Sequence, residues 1–164
     1  MKLDISSITK ANGASMDINF FDAITCERLP EDIELTGPLS FKGHLTNVNG
    51  ILELDGILKV DYNTKCNRCL SNLQGHLELN VSESFMHAVP DEGSDAYTYE
   101  GNSLELDSVF EDNILLDIPM RQLCSDNCKG LCSKCGKNLN ECDCDCKDDY
   151  INPQMEILKN LLNN

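Results

Sequence analysis

The 164-residue chain contains no tryptophan, only 5% aromatic residues, and 13 basic residues against 28 acidic ones. Scarce aromatics and cations leave little with which to stack bases or follow a phosphate backbone, so a nucleic-acid surface is disfavoured. There is no run of about 18 apolar residues to span a membrane. The opening MKLDISSITK lacks the apolar stretch of a signal peptide, and a cytoplasmic chain with no membrane partner is expected. His44, His76 and His87 lie in or beside strand-like segments with no matching acid and nucleophile motif, so no catalytic residue is assigned and no enzyme is expected.

Cysteine is abundant, with ten residues, seven of them between Cys124 and Cys146. In a reducing cytosol metal ligation is a better account of them than a disulfide framework. Cys66-Asn67-Arg68-Cys69 and Cys132-Ser133-Lys134-Cys135-Gly136 share the two-residue spacing that lets both sulfurs reach one ion, and the glycine lets the chain turn back beneath it. Soft thiolates in sets of four suit one or two zinc ions, and all-cysteine sets are normally closed and structural. A redox dithiol would need a helix N-terminus in a βαβ context, which a turn between two strands does not provide. Cys26 stands alone in AITCERLP and reads as a small buried residue.

The formal charge of −15 favours a basic protein partner over naked nucleic acid. Each zinc held by four thiolates would add a local charge of about −2. Lys129, Lys134 and Lys137 form the local patch that could touch phosphate.

Residues 1–119 read as a β-rich core with a helix near 107–118, followed by a cysteine-rich segment over 120–150 and a C-terminal helix over 151–164. Leu3 and Ile5, then Met16, Ile18 and Phe20, alternate as two short strands around a turn at Asn12-Gly13. Ile33, Leu35, Leu39, Phe41 and Leu45 alternate at odd positions, and Leu52, Leu54, Leu58, Val60 and Tyr62 at even ones, on either side of the hairpin signal Asn49-Gly50. Pairing Val48 with Ile51 sets Leu45 against Leu54, Phe41 against Leu58, Leu39 against Val60 and Gly43 against Gly56. Leu73, Leu77, Leu79, Val81 and Phe85 make a third strand of an antiparallel meander, with CNRC in the link before it. Residues 88–102 read as an acidic surface loop leading to an extended piece at 103–106. Asp107 is expected to cap the helix carrying Val109, Phe110, Ile114 and Ile118, which stops at Pro119 and lies across the sheet. Asn152-Pro153 opens the last helix, with its stripe of Met155, Leu158, Leu161 and Leu162. The fold class is therefore α+β: a β-meander with a covering helix, a zinc-binding segment and a short C-terminal helix.

CNRCL after a β-hairpin, LDSVFEDNILLDIP, CSDNCKGLCSKCGKNLN and NPQMEILKNLL, in that order, resemble the bacterial large ribosomal RNA subunit accumulation (YceD-like) family, over nearly the whole chain. The resemblance implies a non-catalytic ribosome biogenesis factor; with the acidic charge, the expected partner is a basic ribosomal or ribosome-assembly protein, and ribosomal RNA could be contacted directly or indirectly. It also implies a division of ligands, because some members keep positions like Cys66, Cys69, Cys124 and Cys128 while lacking the later knuckle. Cys132 and Cys135 then go with Cys144 and Cys146, and Cys142 is extra. A rival scheme joins Cys66 and Cys69 to Cys132 and Cys135. A direct RNA-binding zinc protein and a thiol-redox or metal-transfer protein stand as alternative functions.

Overall fold

Asn49 and Gly50 have φ of 56° and 91°, the positive values a two-residue type I′ turn requires, and they fold the two longest alternating runs onto each other. In a computed structural model describing residues 2–23, 26, 28–87 and 97–146, the elements are β1 (Lys2–Asp4), β2 (Ser15–Asp22), β3 (Glu34–Val48), β4 (Ile51–Lys65), β5 (Asn72–His87), β6 (Tyr97–Tyr99), β7 (Ser103–Glu105) and α1 (Asp107–Asp117). The anticipated C-terminal helix lies outside the described residues. The described residues divide into a sheet unit, running to Lys65 and from Asn72 to Gln122, and a cysteine unit of Cys66–Ser71 with residues 123–146. Among the described residues no helix is long and apolar enough to cross a membrane.

Five strands form one sheet in the order β2-β3-β4-β5-β6, antiparallel except for the parallel β5–β6 pair, while β1 and β7 form a separate two-stranded sheet. Period-two alternation places Leu52, Leu54, Leu58 and Val60 on the buried face, and the pairs Val48–Ile51, Leu45–Leu54, Phe41–Leu58 and Gly43–Gly56 stand as the alternation requires. Leu39 does not pair with Val60, because the register shifts between Thr36 and Ser40, where Gly37 takes a φ of 86° that bends β3. The two N-terminal strands are not partners of each other. β1 pairs with β7 and β2 with β3, and Asn47 joins the intervening segment to the hairpin by donating from Nδ2 to Ile8 O at 2.8 Å. β6 arises within the stretch expected to be loop, where Tyr97–Tyr99 pair with β5. Asp107 is the first helical residue, not the cap; Leu106 holds that place without a side-chain bond.

The core depends on rings laid over glycines. A Cβ on Gly56 would lie 2.5 Å from Phe41 Cζ and 2.6 Å from Lys42 O, and one on Gly43 would be 2.7 Å from the same ring atom. Phe41 thus occupies the space of two missing side chains, and its ring centroid sits 5.0 Å from that of Phe110 on α1. Val109, Phe110 and Ile114 bury against the sheet unit's core. Glu111, 7% exposed, is paired with Arg28, whose Nε donates to its Oε2 at 3.0 Å.

Gly56→Ala is therefore expected to lower unfolding free energy by about 1–3 kcal/mol, the usual cost of overpacking. Glu53→Ala on the exposed face should stay within about 0.5 kcal/mol. Combining Gly56→Ala with Phe41→Leu should cost less than the sum of the single changes, because both act on one space. Denaturant titrations of the four variants measure this, and full additivity would contradict the ring-over-glycine account.

Candidate metal centre

The two CxxC segments adopt the same backbone turn. In the link between β4 and β5, Cys66 N–H donates to Ser71 O at 2.8 Å and Leu70 N–H returns to Cys66 O at 2.9 Å; in the second, Cys132 N–H donates to Lys137 O at 2.8 Å and Gly136 N–H to Cys132 O at 2.9 Å. The residue after each second cysteine is left-handed, with φ of 59° at Leu70 and 71° at Gly136. A glycine there is easily identified in the sequence, whereas a leucine in that conformation conceals it. The turn leaves both sulfurs of each pair on one side, as a shared ligand needs.

The Sγ atoms form two quartets, Cys66, Cys69, Cys124 and Cys128 in one and Cys132, Cys135, Cys144 and Cys146 in the other, each with all four sulfurs within 4.8 Å of one another. Cys66 and Cys69 are not gathered with Cys132 and Cys135. Four sulfurs at zinc's bond length of about 2.3 Å stand about 3.8 Å apart along a tetrahedral edge. Cys66 and Cys128 are 3.8 Å apart and Cys69 and Cys124 3.6 Å, so the first quartet has the dimensions of such a set and no sulfur pair is disulfide-bonded. Its burial fits the same group. Cys66, Cys69 and Cys128 are the buried apolar residues of the cysteine unit among those described, while Leu123, Leu131 and Leu139 are only half-buried.

The surrounding groups favour thiolate. Burial alone would push Cys66 up, but backbone N–H groups of Arg68, Cys69 and Cys124 and the Cys69 thiol donate to its sulfur and bring it down to about 6. Cys132 is brought down to about 6 by the N–H groups of Cys135 and Lys134, then by the thiols of Cys144 and Cys135. Cys124 is pushed up to about 12 by hydrogen bonds to the sulfurs of Cys128 and Cys69, and Cys146 to about 12 by the one to Cys135. Each quartet therefore divides its charge among sulfurs too close to ionise together, and a divalent cation relieves that conflict.

Asn140 braces the first quartet. Its Nδ2 donates to Cys128 Sγ at 3.3 Å and its Oδ1 accepts from Lys129 N–H at 2.8 Å, orienting a sulfur as second ligands to a metal site do. Residue-by-residue reasoning gave it no role, and its only mark in the sequence is the Asn138-Leu139-Asn140 run following a knuckle. Gly130, with φ of 78°, lets the chain pass within reach of the first turn, where Leu131 N–H donates to Arg68 O at 3.1 Å. Cys142 belongs to neither quartet; its thiol points to Asn138 O at 3.6 Å. Cys26 lies half-buried in the sheet unit, its thiol pushed up to about 11 by burial and then by the charges of Glu111 and Asp107, which is the opposite of activation. Of the histidines, His76 bonds Asp61 at 2.6 Å on the exposed face and His87 packs edge-on to Tyr99.

Residues 54–162 match the family model described as Large ribosomal RNA subunit accumulation protein YceD. YlbN of Bacillus subtilis is 25% identical over 138 residues, covering 82% of this chain and 80% of that protein. An uncharacterized protein of Mycobacterium leprae is 22% identical over 113 residues, 65% of this chain and 52% of its own length. The chloroplastic YCED homolog 1 of Arabidopsis thaliana is 38% identical over 47 residues, 29% of this chain and 15% of that one. The chain thus spans about half the length of the mycobacterial relative. No solved structure matches. With the family model covering both CxxC turns and all eight gathered cysteines, the chain belongs to the YceD family of large ribosomal RNA subunit accumulation proteins.

Proposed function

We propose that this chain is a non-enzymatic ribosome biogenesis factor that supports accumulation of large-subunit ribosomal RNA, acting as an acidic adaptor for a basic ribosomal or ribosome-assembly protein. Membership of the YceD family supports the ribosomal role. The observation that carries the non-catalytic part is the completeness of the quartets: four thiols from the chain fill each one, which is the closed pattern of structural zinc, not the three-ligand open pattern of catalytic zinc. Cys66, Cys69, Cys124 and Cys128 would hold one ion and Cys132, Cys135, Cys144 and Cys146 the other. Bound there, zinc supplies cross-links between segments far apart in sequence. The net charge of −15 supplies the attraction to a basic partner.

A second reading, direct contact with RNA, is favoured by one observation: Arg68 and Lys134 are exposed and hold the same place in the two knuckles. Such residues would touch phosphate while the chain as a whole repels it.

Protein purified without chelator is expected to carry close to two zinc ions per chain by elemental analysis. Cys66→Ser and Cys128→Ser should each remove one and the same ion, and Cys135→Ser the other. Depletion of a single shared ion by Cys66→Ser and Cys135→Ser would instead establish the rival pairing, and metal-free protein with freely titrating thiols would end the zinc assignment. Acid should release the metal progressively, because each ion leaves as four sulfurs regain protons.

Affinity for candidate basic ribosomal proteins should fall with added salt, mainly through slower association, since attraction over distance is screened beyond about 8 Å at physiological ionic strength. Chelation should weaken this binding while circular dichroism retains the sheet signal. Tight binding to large-subunit ribosomal RNA fragments with no protein required would overturn the adaptor and establish the RNA reading.

A further inference from the structure

The five-stranded sheet ends at β2, and among the described residues nothing pairs with that strand's outer edge. The ladder determines which of its groups face outward. The two-residue turn makes Val48 and Ile51 a hydrogen-bonded pair, so alternation directs the even-numbered residues of β3 near the turn to β4 and the odd-numbered ones to β2. Asn47 N–H donating to Ala14 O at 2.8 Å agrees with this. Through the pairs Met16–Leu45, Ile18–Gly43 and Phe20–Phe41, the inward groups of β2 are those of Met16, Ile18 and Phe20. The N–H and C=O of Ser15, Asp17, Asn19 and Phe21 point away from the sheet.

Sheet edges are normally guarded by proline, lysine, a bulge or short length. β2 has none of these: its eight residues, SMDINFFD, carry no proline or lysine and keep unbroken register, and the charged side chains on it, Asp17 and Asp22, are acidic. Its side chains also indicate what an added strand would look like. On the core face Met16 and Phe20 remain half-buried at the rim, while Ile18 is 3% exposed. On the other face Asp17 and Asn19 are exposed, and Phe21 is 74% exposed. A guest strand would place apolar residues over Met16 and Phe20 and, at alternate positions, cationic ones beside Asp17.

We propose that the outer edge of β2 takes up an extended segment of the basic partner, alternating lysine or arginine with apolar residues, as an added strand. Main-chain bonds to Ser15, Asp17, Asn19 and Phe21 give the register, and the alternate side chains give the preference. A second copy of the chain is a poorer guest, because two chains of net charge −15 would meet with Asp17 near its counterpart. The nature of the guest rests on the adaptor reading; the openness of the edge does not.

The test uses the full chain with a ten-residue peptide alternating lysine and valine, and the same peptide with every second amide N-methylated on its hydrogen-bonding side. Amide hydrogen exchange should show new protection at Ser15, Asp17, Asn19 and Phe21, and the methylated peptide should bind at least about tenfold more weakly. Asn19→Pro removes one outward donor and leaves the bonds of Ile18 and Phe20 to β3, so it should weaken binding about three- to tenfold without a change in the circular dichroism spectrum. Should that variant fail to fold, Asp17→Lys on the exposed face serves instead and should weaken binding of the same peptide. Equal binding of both peptides, protection located elsewhere, or no binding overturns the edge. Protection of the same amides without peptide, with a concentration-dependent dimer, overturns the guest in favour of a second copy. A basic ribosomal protein that binds the parent and Asn19→Pro equally also overturns the edge and leaves the adaptor reading standing. Failure of the salt series with peptide protection of β2 intact sinks the adaptor reading alone.

Discussion

Four sulfurs within 4.8 Å of one another cannot all carry charge unless a cation lies among them, and the cysteine unit is built around two such sets. Among its described residues the buried apolar side chains are three of the cysteines themselves, Cys66, Cys69 and Cys128. A segment of this composition, Asp-, Asn- and Lys-rich with three half-buried leucines, would not repay the entropy of ordering through packing. The backbone reinforces the point. N–H groups from Arg68, Cys69 and Cys124 converge on Cys66, a sulfur 58 residues from Cys124, and that arrangement favours the anionic sulfur.

The sheet unit depends on a different device, the replacement of side chains by rings. Phe41 lies across Gly43 and Gly56 and thereby reaches Phe110, so the seat of α1 is set by residues on neighbouring strands that have no side chain at all. Tyr62 repeats the pattern over its partner Gly75, where an added Cβ would run into the ring, and its hydroxyl accepts from Gln122 Nε2 at 3.3 Å. Glycine within a strand usually weakens it; here the loss of strand propensity is offset by burial of an aromatic ring.

The hairpin was legible because two independent signals, the Asn49-Gly50 turn and period-two alternation, demand one register, and the family was legible from its ordered motifs. Where a single signal stood alone, less could be read. Leu3 and Ile5 alternate like a strand, but alternation does not name a partner, and β1 pairs with β7, about a hundred residues later in the chain. The Leu39–Val60 pair failed because Gly37 and Pro38 interrupt the run before the alternation resumes, and a bulge changes phase without changing composition. Asp107 looked like a helix cap by residue type, yet capping is decided by backbone angle, and Leu106 holds the position with φ of −104°. At the cysteines, spacing alone fixes which neighbours share a turn. It carries nothing about which turns meet: the division into these two quartets is what the family resemblance implies, and the brace from Asn140 needed three dimensions.

Charge and geometry have separate parts in partner choice. A surplus of acid acts over roughly a Debye length and draws any cationic chain, whatever its sequence. It therefore raises encounter rates without distinguishing one basic protein from another. Discrimination must come from groups that act at contact distance and in one orientation only. The sheet unit offers such a set in the outward N–H and C=O groups of β2, spaced by the strand itself and held in line by the Met16, Ile18 and Phe20 pairs to β3. A main-chain edge reads extension and side-chain alternation but not residue identity, so by itself it accepts a class of segments. On the proposed edge, narrowing that class would fall to Phe21 and Asp17, both exposed on the open face.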